Sequence, residues 1–537
     1  MSSNLTQYEL AGEKWVGDKT CADFIAKFAA APDSFFRKDS LLVSDRKLRA
    51  VAVVPVEGDR RAHIKKYKAA GFVQRLRALL KTSQADLELR HLIAAKKAGL
   101  PVPELIFFGR RGWDAYLATG LIPGAGPLVD ILRRNPDALD GALIDAAARL
   151  VAQAHEAGFL HRDLHLGNIL RDGKGNLYLV DMHRLEIKSV VADEEAARNL
   201  GQLDFSFSRV ADKEKRGAVV AAYLNSRRIG MGHDKFRRAV YEASRAWGAR
   251  HFRSRTRRCL RDGENYAVEH ARDYTVYRKT AFTADPGALV KAKARAPAAI
   301  LKESEKTRVT VLTDASSDNK ICVKEFRNRG LGPVLERLLR GSRGKRAWIN
   351  ANGLMIRGIA TPEPLAYVVT KGAEYLLTRY EEDARPLDEY LRACFEKVSD
   401  KKTLREKWEF MRGLGRTLAN LHQAEVFHKD LKANNVLVSE RSGVRRLLLL
   451  DLDRVQFDRP LPQRETEFNL GCLNAAIPNF ITATDRLRAF KAYTGQNNLT
   501  GHHKEMLRRI RDISIARNHL WHPARSTRSQ STVSQER

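Results

Sequence analysis

No stretch of this 537-residue chain approaches the roughly 18 consecutive apolar residues of a membrane-spanning helix. Residues 1–15 lack the charged-then-apolar order of an export signal, so a cytoplasmic protein is expected. The five cysteines, Cys21, Cys259, Cys322, Cys394 and Cys472, are scattered, and no two form a C-x-x-C pair. That pattern supports neither a zinc framework nor a disulfide scaffold, and core thiols in a reducing compartment are the plain reading. Acidic charge is also short: 64 Asp and Glu face 95 Lys and Arg, a formal net charge of +31. Such an excess predicts attraction to polyanions, whether nucleic acid, an anionic membrane face or an acidic glycolipid, without choosing among them.

With 43% apolar and 30% charged residues, the composition is that of a folded chain, and its length implies two or three domains. One stretch occurs twice. His161-Arg162-Asp163 is followed by Asn168 and, after an apolar run, by Asp181; His428-Lys429-Asp430 is followed by Asn435 and Asp451. That order is that of a phosphoryl-transfer catalytic loop and its metal-binding aspartate.

The chain around each copy repeats as well. After a mixed lead-in with one short helix over 23–30, β-rich runs are expected at 48–54 and 62–67, with a turn at Glu57-Gly58-Asp59. Apolar spacing predicts a helix over 83–98 ended by Gly99, then a strand pair at 105–108 and 115–119, then a long helix over 139–157 ended by Gly158. The segment from the first loop to about Thr280 reads as helical and very basic. The second half shows β-runs at 308–312 and 320–326, a helical segment ended by Gly358, another β-run at 374–378 and a helix over 404–423. An interval of 259 residues separates Lys65 from Lys324, Gly99 from Gly358 and Thr119 from Thr378. A constant interval marks a duplicated module. It widens to 267 between His161 and His428, which places an insertion near 396–403. The expected domains are 1–285 and 286–522, with a disordered basic tail over 523–537.

In the first module Asp163 is placed to orient or deprotonate an attacking hydroxyl, while Asn168 and Asp181 would bind Mg²⁺. His161 would hold the loop. Lys65 fits the strand lysine that reaches the nucleotide phosphates, and Glu88 the helix carboxylate that fixes it, although a helix-face glutamate is by default a solvated one. The second module supplies Lys324, Asp430, Asn435 and Asp451 in the same roles. The position matching Glu88 is Ala347, so its lysine lacks that carboxylate unless another residue such as Glu336 substitutes. Neither module has a G-x-G-x-x-G loop, since Ser44–Arg49 and Lys302–Thr307 stand in its place, and neither has D-F-G. These gaps point away from a eukaryotic-type protein kinase and towards a divergent kinase of small molecules or glycans. Asp453 is expected to pair with Arg454. The arginine-rich run over 237–261 is too dense for an ordinary solvated face and suggests an anionic acceptor or membrane surface, with Trp247 and Phe252 as core residues.

With these residues placed, the chain resembles the lipopolysaccharide kinase family, the Kdo/WaaP and InaA-like group. The resemblance rests on Ile64–Lys68, Ala98–Pro103, His161–Asn168 and Val180–Arg184, and on Val323–Arg327, Arg357–Pro364, His428–Asn435 and Leu450–Arg454. It implies an α+β fold with two tandem protein-kinase-like two-lobed domains, each with a β-rich N-lobe and a helical C-lobe. It implies ATP and Mg²⁺ as cofactors, and phosphotransfer to an alcohol group of heptose or Kdo in the lipopolysaccharide inner core. The acceptor would be an anionic glycolipid, lipid A-core, met peripherally at the cytoplasmic face of the inner membrane, with no specific nucleic acid. The rivals are a kinase of another small molecule, a pseudokinase scaffold in envelope assembly, and a nucleic-acid binder using the arginine-rich run.

Overall fold

The computed structural model describes residues 5–37, 41–46, 48–69, 71–80, 82–293, 299–314, 319–327, 341–398, 400–441 and 444–517. The tail over 523–537 and Glu336 lie outside them. The chain divides into two units, Met1–Gly248 and Ala249–Arg537.

Each unit begins with a seven-stranded antiparallel sheet and continues into a helical part that carries short two- and three-stranded sheets. In the first unit the sheet runs, edge to edge, Leu5–Leu10, Glu13–Asp18, Leu105–Arg111, Asp114–Gly120, Arg61–Tyr67, Arg49–Pro55, Leu42–Asp45. In the second it runs Tyr266–His270, Tyr274–Lys279, Pro364–Thr370, Ala373–Arg379, Lys320–Arg327, Thr307–Thr313, Ala299–Glu303. The order is the same strand for strand, so the architecture is mixed α/β and duplicated.

This symmetry moves the seam. Residues 249–285, which the sequence reading gave to the first module, lie in the second unit. Tyr266–Lys279 is a hairpin whose second strand pairs with Pro364–Thr370. Its counterpart is the hairpin Leu5–Asp18, where the sequence suggested only a mixed lead-in. Both hairpins are half-exposed, so neither carries a continuous apolar run. The basic segment after the first loop is helical as expected over Asp193–Phe207, Lys213–Ser226 and His233–Thr256, but the helices stop before that second hairpin.

The insertion goes into a helix. Lys401–Gln423 has 23 residues against 16 for its counterpart Gly141–Glu156. Both helices pack an apolar stripe into the core of their helical part, with Leu143, Ala147 and Val151 in the first and Phe410, Leu414 and Leu421 in the second buried.

The turn from the long helix to the His161–Asn168 loop is tight. Gly158 has φ +82°, and a Cβ there would lie 2.2 Å from the carbonyl oxygen of Lys188. Gly158→Ala therefore combines left-handed strain with a backbone clash, and a loss of roughly 3 kcal/mol is expected. Denaturant melts of the full chain check this, and an unchanged midpoint would contradict it.

Candidate active site

Lys65 stands on the interior strand Arg61–Tyr67, between Asp114–Gly120 and Arg49–Pro55. Alternation sends Ala62 and Ile64 into the apolar core on one face of the sheet. His63, Lys65 and Tyr67 share the other face, towards the helix Gln84–Lys97. That helix starts at a capping box in which Ser83 and Asp86 bond each other's backbone N–H. Arg110 donates to both carboxylate oxygens of Asp86, at 2.8 and 2.7 Å, which ties the helix start to the sheet.

So placed, Glu88 is buried and accepts from Lys65 Nζ at 2.6 Å, while the Tyr67 hydroxyl donates to its other oxygen. One turn on, His91 Nδ1 lies 2.9 Å from the carbonyl oxygen of Met182, which fastens the helix to the loop that follows Asp181. Asp181 Oδ1 then lies 3.1 Å from Lys65 Nζ, 3.1 Å from His183 Nδ1 and 3.5 Å from Arg49 Nη1. Lys65, Glu88 and Asp181 thus come together as the sequence order suggested. Arg49 and His183 were not singled out from sequence. Arg49 opens the strand Arg49–Pro55, and only the fold reveals its reach to Asp181.

These contacts fix the charges. Burial opposes ionisation of Asp181, but the hydrogen bond from His183 and the charge of Lys65 outweigh it and hold the carboxyl well below its usual range. Burial likewise opposes the charge on Lys65, and Glu88 and Asp181 overcome it, raising its pKa. His63 shares the buried face, and burial together with the Lys65 charge pushes it down to about 4. Glu88, Asp181 and His183 each bring a ligand atom within 4.8 Å of the others, a spacing compatible with a divalent ion.

The residues of the His161–Asn168 loop form a second, interlocked layer. His161 lies in the short strand Phe159–His161, its Nδ1 accepts from the Asp163 N–H at 3.2 Å, and its Nε2 donates to the Val180 carbonyl at 3.0 Å. The ring is therefore neutral with its proton on Nε2, and burial lowers its pKa. The Asn168 amide donates to the Asp163 carbonyl at 2.9 Å, and the Val180 N–H to the Asn168 carbonyl at 3.0 Å. Asp181 follows in the left-handed region at φ +67°, which costs about 1–2 kcal/mol for a non-glycine residue.

The second unit repeats this loop closely. His428 Nε2 donates to the Leu450 carbonyl at 2.8 Å, the Asp430 N–H to His428 Nδ1 at 3.2 Å, and Asn435 to the Asp430 carbonyl at 2.8 Å. Asp451 has φ +56°. Asn350, at the position of His91, donates to the carbonyls of Leu452 and Val455 at 2.7 and 3.0 Å.

Its lysine clamp is rebuilt. Lys324 Nζ lies 2.6 Å from Asp451. Burial works to raise the Asp451 pKa, but the lysine prevails and holds it near 2. Ala347 stands for Glu88 and Phe326 for Tyr67, so both the carboxylate and the hydroxyl that secured it are gone. In their place Asp453, at the position of His183, is buried, lies 3.9 Å from Lys324 and accepts from Arg343 Nε at 2.8 Å. The expected Asp453–Arg454 pair is thus corrected: the partner comes from the start of the helix Arg343–Ile356, because Asp453 points inward.

Behind each loop lies a relay the sequence reading missed. Asn199 donates to the His161 carbonyl at 2.8 Å and accepts from His155 Nε2 at 3.0 Å; His155 Nδ1 meets the Tyr223 hydroxyl at 2.7 Å. The second unit repeats it with Asn469, His422 and Tyr493, at 2.6, 3.4 and 3.0 Å. The available signal was their recurrence, offset by 267 for the histidines and 270 for the others. Burial pushes His155 and His422 down from 6.5 to about 4. The unfolded chain therefore binds more protons between those values. Their contribution is complete above pH 6.5 and is lost as pH falls towards 4, roughly 2 kcal/mol per histidine between pH 7 and 5. Thermal melts across that window should show the decline, and a flat profile would contradict it.

The arginine-rich run lies in the helix His233–Thr256 and the turn Arg257–Leu260; Arg237, Arg238, Arg253, Arg255, Arg257 and Arg258 are exposed. Trp247 and Phe252, expected as core, are half-buried. Among the described residues no helix is long and apolar enough to cross a membrane.

Comparison with known proteins gives this geometry its family. The profile of the "Lipopolysaccharide kinase (Kdo/WaaP) family" matches residues 34–223 and again 292–493, most of the chain. The chain belongs to that family. Each matched span carries one lysine strand and one His-x-Asp loop, so the family's module is present twice. A 3-deoxy-D-manno-octulosonic acid kinase of Stenotrophomonas maltophilia (strain R551-3) is 32% identical over 148 residues, 27% of this chain and 58% of that protein. One of Pasteurella multocida (strain Pm70) is 31% identical over 130 residues, 23% of this chain and 49% of that protein. The chain thus spans only about half the length of the curated relatives it matches. A solved structure of WaaP in complex with acyl carrier protein aligns at 18% identity and a TM-score of 0.30, over 39% of this chain and 92% of that one.

Proposed function

We propose that the chain is an ATP-dependent kinase that phosphorylates a hydroxyl of Kdo or heptose in the lipopolysaccharide inner core, using tandem protein-kinase-like two-lobed modules. The observation that carries the reading is Lys65 held between Glu88 and Asp181, a cation fixed where a sheet meets a helical part. Membership of the lipopolysaccharide kinase family and the 3-deoxy-D-manno-octulosonic acid kinases among its relatives support the acceptor class. The net charge of +31 suits an anionic glycolipid at an anionic leaflet.

Lys65 draws the α- and β-phosphates of ATP, and Glu88 keeps it in place. The Asp163 carboxylate orients the sugar hydroxyl and accepts its proton as the oxygen attacks the γ-phosphorus, while the bond from that phosphorus to the β–γ bridging oxygen breaks and ADP leaves. The residues fit Mg²⁺: Asp181 is ionised, the Asn168 amide nitrogen is committed to the loop and leaves its oxygen as a ligand, and this ion prefers oxygen donors. When bound, the ion neutralises phosphate charge. His183 then serves to aim the Asp181 carboxylate. Lys324, Asp430, Asn435 and Asp451 hold the same positions in the second module.

The altered clamp there favours a second reading for that module, binding without transfer. Mass analysis of core oligosaccharide from cells carrying Asp163→Ala, Asp430→Ala or both tests these readings. Loss of phosphate in the double mutant is expected. A loss confined to Asp163→Ala assigns the chemistry to the first module, and an unchanged phosphate count in the double mutant overturns the proposal.

A further inference from the structure

Between the lysine strand and the Glu88 helix, the first unit carries a short helix, Phe72–Leu79, whose apolar side chains face solvent. Phe72 is 81% exposed, Val73 56%, Leu76 45%, Leu79 66% and the following Leu80 65%. Only Ala78 of this helix is buried. At about 100° per residue, the five exposed apolar side chains fall within an arc of about 120°. Arg75 borders the arc on one side and Arg77 on the other, both exposed, and the helix has no acidic residue. Arg75 also stacks over Trp113, itself 44% exposed, at 5.6 Å from the ring centroid.

An apolar arc of this size costs free energy in water, and an ordinary surface helix turns such a face inward. The flanking arginines say what covers it. A protein groove takes an apolar face and leaves the choice of flanking charge open. An anionic bilayer requires apolar side chains at acyl depth with cations at headgroup level on both sides. In sequence the pattern recurs: Leu335, Leu338 and Leu339 keep the spacing of Leu76, Leu79 and Leu80 in the second module.

We infer that Phe72–Leu80 is an interfacial membrane anchor that seats in the headgroup and acyl boundary of an anionic leaflet. The inference rests on the glycolipid-kinase reading for its purpose, since a lipid-anchored acceptor is met at that surface. Its physical basis is the exposed arc and the arginines beside it. The anchor immediately precedes the helix that carries Glu88, so lipid contact would be made close in sequence to the lysine clamp.

The full chain with Leu76→Glu and Leu79→Glu tests this in a sedimentation assay. The vesicles are phosphatidylglycerol mixed with phosphatidylcholine, or phosphatidylcholine alone, at about 0.3 M salt to screen the rest of the basic surface. Both leucines are exposed, so the variant should keep the wild-type melting temperature. Its affinity for the mixed vesicles should fall at least about tenfold. In the otherwise wild-type chain, tryptophan emission of Phe72→Trp should move to shorter wavelength on adding mixed vesicles, and much less with phosphatidylcholine alone. Undiminished vesicle binding by the glutamate variant, or no change in emission, overturns the anchor. So does a wild-type dimer, seen by light scattering, that the glutamates dissociate, because the arc would then be covered by a second copy. Phosphorylation of a soluble, deacylated acceptor should be equal in wild type and glutamate variant. Its absence in both would sink the kinase reading while the vesicle result stands by itself.

Discussion

Asp181→Asn should lower phosphoryl transfer by the first module about 10³-fold, the scale of losing one preorganised electrostatic contact in an active site. The substitution keeps the shape of the side chain and removes its charge. Three groups now converge on that charge, Lys65, His183 and Arg49. Lys65 retains Glu88 at 2.6 Å, so the lysine stays in place and the loss reports on Asp181 itself. The measurement is single-turnover transfer from labelled ATP with Asp430→Ala present, so that only the first module can react. A loss smaller than tenfold would remove Asp181 from the proposed role.

The second large effect concerns the clamp. Tyr67→Phe with Glu88→Ala gives the first module the side chains that the second has at Phe326 and Ala347. With its carboxylate gone, Lys65 is held by Asp181 alone and is free to swing, and misplacement of a positioning group by about 1 Å can cost 10²-fold. A fall of about that size in kcat/KM for ATP is expected, with a raised KM for ATP, because the proposed role of this lysine is on the nucleotide phosphates. The KM for the sugar acceptor should move little. Equal increases in both KM values would indicate general disruption of the module instead. An unchanged kcat/KM would show that the second module's arrangement, with Asp453 and Arg343 beside the lysine, is sufficient for nucleotide binding.

The parts legible in sequence were those with strong local chemistry. The His-x-Asp loops, the helix ended by Gly99 and the strand carrying Lys65 announce themselves through motif, stop signal and alternation. The constant interval between Lys65 and Lys324 disclosed the duplication. What escaped was set by partners far away in the chain. Asp453 looked like the neighbour of Arg454, yet its actual partner, Arg343, lies on a helix more than a hundred residues earlier. The relay from Tyr223 through His155 and Asn199 joins three helices, and each residue alone reads as an ordinary polar group. The two edge hairpins escaped for another reason. Their strands are half-exposed, so their β character comes from pairing with the neighbouring strand and not from their own apolar content.

The displaced seam has a consequence for dissecting the chain. A fragment begun at residue 286 would lose Tyr274–Lys279 and strip the partner from Pro364–Thr370. That strand, Pro-Leu-Ala-Tyr-Val-Val-Thr, is largely apolar and would then present a bare ladder of N–H and C=O groups at the edge of its sheet. Such an edge templates further strands, so the fragment would self-associate even though Lys324, Asp430, Asn435 and Asp451 were all included. A fragment begun at Ala249 keeps the edge covered by the same hairpin that covers it in the whole chain.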